Sequence, residues 1–399
     1  MNQIVSGIQF NVGPRYDVKK LLGAGAYGHV ALAIDKKQTD PDYQKVAIKK
    51  LHLVRDEIDA KRVLREIRIL RTMKHENILR LEHLIYDDSN KELDFGEIYL
   101  VTNYMEVDLY KIIKSGQNLT DQHFQYIMYQ LIKALKYLHS ANIVHRDIKP
   151  SNILATENCE ICFCDFGLAR QIEELEAEDN RCQNMLTEYV VTRYYRAPEV
   201  MLSSHEYSTA IDMWSLGCTF AELITRQILF KGTNYIQMIK LIFDTLGKPG
   251  EEDLGFITNL NAKKYVSSLQ TKQKASIGSV IKYSNPQAID LLDKLLEINP
   301  KKRITSAEAL NHPYLEPIRD PDDEPSFEGN LDCQFENDST IQLKDLKALI
   351  LNEVNIMRQK NSEPIINVQL EIEKREQITK INQQKKQQLK QQQQKQQQQ

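Results

Sequence analysis

The chain is 399 residues long, and 52 Lys and Arg against 55 Asp and Glu leave a formal charge of −3, which excludes attachment to nucleic acid or lipid by bulk charge. A 41% hydrophobic share excludes a wholly disordered chain, and at roughly 100–200 residues per domain two or three compact units are expected. Six cysteines are too sparse for a disulfide scaffold, the opening MNQIVSGIQFNVG lacks a basic segment followed by an apolar one, and no apolar run approaches the ~18 residues that cross a bilayer, so a soluble intracellular protein is expected.

Residues 1–15 read as an N-terminal extension. From Tyr16 to about residue 102 the pattern is strand-like, with KKLLG, a glycine turn, HVALAI in period two, VAIKK and EIYLV. One helix is expected near Asp59–Lys74, where Ala60, Val63, Leu64, Ile67 and Leu70 share a face. A hinge near 102–107 introduces helical text, DLYKIIK, FQYIMYQLIKALKYLHSA and IDMWSLGCTFAELIT, which continues to about Leu315. Cys159, Cys162 and Cys164 in CEICFC read as structural thiols on a strand, with no second Cys/His pair to complete a metal site. Prolines in DPDDEP (320–325) stop any helix, and Lys344–Met357 reads as one more packed helix. Residues 358–399 end in a Gln-rich run with nothing apolar to bury, which implies a disordered tail or a loose helix.

GAGAYGHV places Gly23, Gly25 and Gly28 ahead of Val30. A dinucleotide site would need a helix directly after the glycines, whereas HVALAI returns as a strand, so the pattern is a hairpin whose bare backbone can approach phosphate. Lys49 on VAIKK and Glu66 on the helix could pair, although by themselves such residues are more often solvated. HRDIKPSN is more specific, since it sets a base, a cation and a metal-ligand amide at Asp147, Lys149 and Asn152 in one loop, and DFG adds Asp165.

A glycine loop, VAIK, HRDIKPSN, DFG and APE (197–199) in this order resemble a eukaryotic protein kinase. TEY at 187–189 and VVTRYYRAPEV narrow the resemblance to mitogen-activated protein kinases of the extracellular-signal-regulated type, over about residues 14–357. EELEAED (173–179) and the Gln-rich tail lie outside it, and Tyr195 follows Tyr194 in YYRAPE where many relatives carry Trp-Tyr. The resemblance implies an α+β, bilobal protein kinase fold. Its β-rich N-lobe with one main helix would span 16–102. A larger α-helical C-lobe would span 103–315, with an activation loop at 165–199 and an insert at 246–278, and 316–357 would pack on the kinase as an extension.

It also implies Ser/Thr phosphorylation with ATP and Mg²⁺ as cofactors. In that reading Lys49, held by Glu66, contacts the phosphates, Asn152 and Asp165 bind metal, Asp147 accepts the substrate proton and Lys149 lies near the transferred group. The base would lie among Val30, Ala47 and Leu154, with backbone at Asn103–Met105 bonded to adenine, Asp108 near the ribose and Thr102 either guarding the pocket or merely filling the core. Asp212 would hold the catalytic loop, and Glu199 would pair with Arg303.

By the same resemblance, phosphates on Thr187 and Tyr189 would switch the enzyme, the first meeting Arg62, Arg65, Arg146 and Arg170, the second Arg193 and Arg196. Ser/Thr-Pro substrates and an upstream dual-specificity kinase are implied. Asp320, Asp322, Asp323 and Glu324, with an apolar groove at Leu119, His123 and Tyr126, would dock basic motifs of substrates, activators and phosphatases. Cytoplasm and nucleus are the expected locations, with no direct nucleic-acid or membrane partner. The alternatives are a pseudokinase scaffold, which would lack one of Lys49, Asp147, Asn152 or Asp165, and a cyclin-dependent-like kinase, which TEY and DPDDEP disfavour.

Overall fold

The period-two segments pair as read, and they do so in the first of two units, residues 1–71, 80–104 and 334–399. The computed structural model describes residues 3–25, 28–90, 93–172, 193–203, 208–270 and 275–397. A small hairpin of β1 (Gln3–Val5) and β2 (Ile8–Phe10) occupies the expected N-terminal extension. β3 (Tyr16–Gly25), β4 (Gly28–Asp35), β5 (Lys45–Leu51), β6 (Leu81–Asp87) and β7 (Glu97–Asn103) then form an antiparallel sheet in the order β3-β4-β5-β7-β6. β6 is an addition to the sequence reading. Phe10, Tyr16, Ala31, Ala33, Val46, Ile48, Tyr99 and Val101 make its core, every second residue of each strand pointing inward.

Helix α1 spans Glu57–Thr72 and buries Ala60, Val63, Leu64, Ile67 and Leu70. It starts two residues earlier than its apolar spacing suggests because the Asp56 carboxylate accepts the Asp59 N–H at 2.8 Å, which caps the first turn.

The second unit comprises residues 72–79 and 105–333. After β8 (Val107–Asp108), two long helices organise it: α2 (Asp121–Ser140), and α3 (Ala210–Thr225), which is buried nearly all round, with Trp214 fully enclosed. Between them lie β9 (Ile143–Val144), β10 (Ile153–Ala155), β11 (Ile161–Phe163) and β12 (Arg170–Gln171). β10 joins β8 to β11, and β12 pairs with β9. Among the described residues no group of three or more cysteines, histidines and carboxylates is placed to hold a metal ion. Further helices at Tyr235–Leu246, Leu260–Ser268 and Pro286–Leu295 complete the unit.

The chain then returns to the first unit. Helix α4 (Leu343–Lys360) is the packed helix expected near 344–357, with Leu346, Ile350, Leu351, Val354 and Met357 buried. The tail is helical as well, α5 running from Val368 to Gln397. Its start is fastened to the sheet by charge. Arg375, 3% exposed, takes Glu371 at 2.7 Å and the carbonyl oxygens of Asp88, Asn90 and Leu93 at 2.9–3.0 Å, and the Tyr86 hydroxyl donates to Glu371 at 3.0 Å. Disorder therefore does not describe the beginning of this segment.

In the second unit His75 accepts the Asn77 N–H on Nδ1, while its Nε2 is buried without a partner. Burial, reinforced by the Lys133 ammonium, lowers its pKa to about 4. The unfolded chain, with an ordinary histidine near 6.5, binds that proton first, so stability is intact above that value and is lost as pH falls from about 6.5 to about 4, by up to about 3 kcal/mol. Denaturant unfolding across this range should show the loss, and His75→Gln should flatten it.

Candidate functional site

The glycine hairpin forms the paired tip of β3 and β4 out to Gly25 and Gly28, with Ala26 and Tyr27 outside the described residues. Gly28 has φ 142°, and a Cβ there would lie 2.1 Å from the Lys50 carbonyl oxygen, so only glycine lets β4 come this close to β5. Gly23 and Gly25 are exposed, and a Cβ on either would stand in open space. Their backbone thus forms a bare edge of the kind that phosphate oxygens can approach. The His52 ring also contacts the Gly25 carbonyl oxygen, with Nε2 3.2 Å away.

Because Val46 and Ile48 are buried in the core, β5 turns Lys49 to its other face. There Lys49 Nζ lies 2.6 Å from Glu66 Oε1, with side chains 18% and 6% exposed. Val30 sits opposite both Gly23 and Lys49, and Ala47 opposite Thr102, which is buried. The Asn103 N–H donates to the Arg80 carbonyl at 3.2 Å and its side-chain Oδ1 accepts the Arg80 N–H at 2.8 Å, which ties the end of β7 to the residue before β6.

In the second unit the polar residues of HRDIKPSN come together. Asp212, fully buried, accepts the backbone N–H groups of His145 and Arg146 at 2.8 and 2.9 Å, and His139 at 3.1 Å. This grip holds Arg146 at φ 68°, a left-handed conformation that a long side chain seldom adopts. It delivers Asp147, whose Oδ2 receives Lys149 Nζ at 2.7 Å and Asn152 Nδ2 at 2.8 Å. The Asn152 carbonyl accepts the Cys164 N–H at 3.0 Å, and His145 reaches the Cys164 carbonyl at 3.1 Å while packing 4.8 Å from the Phe166 ring. Asp165, next along the chain, has φ 63°. Asp165 and the Asn152 amide oxygen are hard oxygen donors suited to Mg²⁺.

Burial raises the Asp147 pKa, against the Lys149 ammonium, which pulls it down. Leu154 lies opposite Asp108, whose carboxylate caps the Leu109–Lys114 helix by accepting the Lys111 N–H at 2.8 Å, a task absent from the ribose role expected of it. The expected scaffold pair is also formed, Arg303 meeting Glu199 at 2.6 and 2.9 Å with both side chains fully buried.

Thr187, Tyr189 and the acidic 173–179 stretch lie outside the described residues. Of the arginines assigned to their phosphates, Arg65 is bound through Nε and Nη2 to Glu336 at 2.6 and 2.8 Å, deep in the first unit, a contact that the motif did not announce. Arg62 is half-buried at a cavity of about 300 Å³ lined also by His52, Arg55 and Asp59. In the second unit, Arg146 and Arg170 are half-buried, Arg193 donates to the Thr233 carbonyl, and Arg196 donates to the Tyr235 hydroxyl.

The acidic patch is smaller than its letters. Asp320 and Asp322 are exposed, and Asp323, also exposed, pairs with the buried Lys133 at 2.5 Å. The Glu324 side chain is 3% exposed and bound to Arg319 at 2.7 Å, so it belongs to the interior. Leu119 is half-exposed, Tyr126 is exposed, and His123 closes the N-terminus of α2 in a capping box with Thr120.

Residues 16–315 match the family model described as the protein kinase domain. The chain is 44% identical over 356 residues to extracellular signal-regulated kinase 1 of Dictyostelium discoideum, spanning 89% of this chain and 65% of that one. It is 44% identical over 353 residues to mitogen-activated protein kinase 2 of Pneumocystis carinii, spanning 88% and 97%. Against mitogen-activated protein kinase 5 of Arabidopsis thaliana it is 43% identical over 348 residues, spanning 87% and 89%.

If Asp147 works as the ionised base, its raised pKa moves the acid limb of kcat/KM upward from where an exposed aspartate would put it. Lys149→Met removes the cation that lowers it, so that limb should move to higher pH while kcat falls about 10²-fold. A pH–rate profile of the two proteins measures both.

Proposed function

The chain belongs to the protein kinases, and within them to the mitogen-activated protein kinases of the extracellular-signal-regulated type, and from that premise we propose that its ATP-dependent phosphorylation of Ser and Thr is directed to hydroxyls followed by proline and is switched on by phosphates at Thr187 and Tyr189. The Asp147–Lys149–Asn152 cluster is the observation that carries the catalytic reading: three polar groups of the kinds this reaction needs, within 2.7–2.8 Å, on a loop held by a buried carboxylate.

Phosphoryl transfer asks the protein chiefly to position reactants and neutralise charge. Lys49, steadied by Glu66, binds the α- and β-phosphates, and the bare edge at Gly23 and Gly25 covers phosphate oxygens. Asp147 orients the substrate hydroxyl and takes its proton, with the Lys149 ammonium against the developing charge. Asp165 and Asn152 would hold Mg²⁺, which would supply charge neutralisation when bound. Rates of about 1–100 per second would correspond to a barrier of roughly 15–17 kcal/mol.

For the switch, each phosphate adds about −1.5 to −2 charge. Moving a two-state segment from 1:99 to 99:1 takes about 5.5 kcal/mol, which two or three charge-assisted hydrogen bonds of about 1.5–3 kcal/mol supply. Arg62, Arg146 and Arg170 serve the first phosphate, and Arg65 joins them by sharing its guanidinium with Glu336. Arg193 and Arg196 serve the second. The proposed partners are an upstream dual-specificity kinase and, at Asp320, Asp322 and Asp323, basic docking motifs of substrates and phosphatases, in cytoplasm and nucleus.

The test is an assay on a Ser-Pro/Thr-Pro peptide library before and after phosphatase treatment, with Asp147→Ala as the inactive control. Thr187→Ala with Tyr189→Phe should keep ATP binding and lose at least about 10²-fold in rate. Full activity of that double variant would retain the kinase and remove the switch.

A further inference from the structure

Helix α1 carries Glu66 toward Lys49 on one side, and a row of cations on another side is engaged as well. Lys61, Arg65 and Arg68 recur at spacings of four and three, so they form one row along the helix, and Arg71 adds a fourth cation. Each of the four is met by the C-terminal part of the first unit. The Glu336 carboxylate takes Arg65 at 2.6 and 2.8 Å, and its backbone carbonyl takes Lys61 Nζ at 2.8 Å. On α4, Glu353 divides its two oxygens between Arg68 at 2.8 Å and Arg71 at 2.7 Å. The Phe335 ring lies 5.0 Å from the Arg68 guanidinium.

These pairs are not surface ornaments. Side-chain exposure is 4% and 3% for Arg65 and Glu336, and 9% and 4% for Arg68 and Glu353. Exposed ion pairs contribute little and tolerate drift, whereas a buried carboxylate shared by two guanidinium groups loses heavily if either moves. The partner side is equally rigid, since α4 is anchored by its own buried Leu346, Ile350 and Val354.

Successive helix residues are about 100° apart, so turning α1 by one residue would carry Glu66 away from Lys49 and pull Arg65 and Arg68 off their carboxylates together. We infer that Glu336 and Glu353 are positioning residues of the kinase reaction: by gripping the row of cations they set the rotation of α1 about its axis, and thereby hold Glu66 on Lys49.

The test uses the full chain with Glu353→Gln and Glu336→Gln, which keep the shape and remove the charge. With ATP and a degenerate Ser/Thr peptide pool varied in turn, each should lower kcat roughly tenfold and raise KM for ATP, leaving KM for peptide unchanged. A merely structural role would instead lower the thermal midpoint without this split. In a Glu66→Gln background the second substitution should add no further loss, because both act through one contact. Arg71→Gln, at a side chain 31% exposed, removes one limb of the clamp without emptying a buried site and should produce the same effect in smaller degree. Unchanged kcat in Arg71→Gln and Glu336→Gln, or losses that multiply with that of Glu66→Gln, would overturn the inference.

Discussion

A lysine ammonium held mostly out of water is costly unless a carboxylate meets it, and in this protein the encounter of Lys49 with Glu66 imposes conditions on much of the first unit. Strand β5 must alternate so that Val46 and Ile48 go inward, and α1 must end its rotation with residue 66 facing the strand. The acidic cap at Asp56 sets where the helix begins, and the cation row along it sets how it is turned. The sheet, the helix and the returning C-terminal segment are thus parts of one electrostatic arrangement.

The second unit solves a comparable problem with a different device. Its buried carboxylate at Asp147 sits in a short loop with little regular structure of its own. A loop that must hold a left-handed residue needs outside support, and Asp212 at the start of α3 supplies it through two backbone N–H groups. Asn152 and Lys149 then close on Asp147 from the same loop, and His145 and Asn152 tie that loop to the segment carrying Asp165. The two ionisable pairs differ in consequence. Lys49 and Glu66 hold each other, whereas Asp147 keeps a raised pKa despite its cation, because burial is the larger influence.

Charge rather than apolar surface also decides the parts that composition describes poorly. The start of α5 has almost nothing to bury, yet Arg375 satisfies three loop carbonyls and a carboxylate at once, and its Glu-, Lys- and Gln-rich sequence favours a helix once one end is fixed. In the same way the run DPDDEP looks uniformly acidic in the sequence, but Arg319 draws Glu324 inside while Asp320 and Asp322 stay at the surface.

What the sequence determined by itself was everything carried by local order. Period two marked four strands of the sheet, helical spacing marked α1 to α4, and the ordered motifs marked Lys49, Glu66, Asp147, Lys149, Asn152 and Asp165, because each chemistry there requires a particular side chain at a particular spacing. Tertiary structure alone decided which partner each charge found. Glu336 lies 271 residues from Arg65, and Glu353 lies 285 from Arg68, and no local pattern singles out one carboxylate among 55 acidic residues. β6 was missed for a related reason, since LEHLIYD breaks its alternation where the register shifts between Leu81 and His83. A side chain's type is written in the chain, but the partner it meets depends on how distant segments pack, and only the folded molecule brings those segments together.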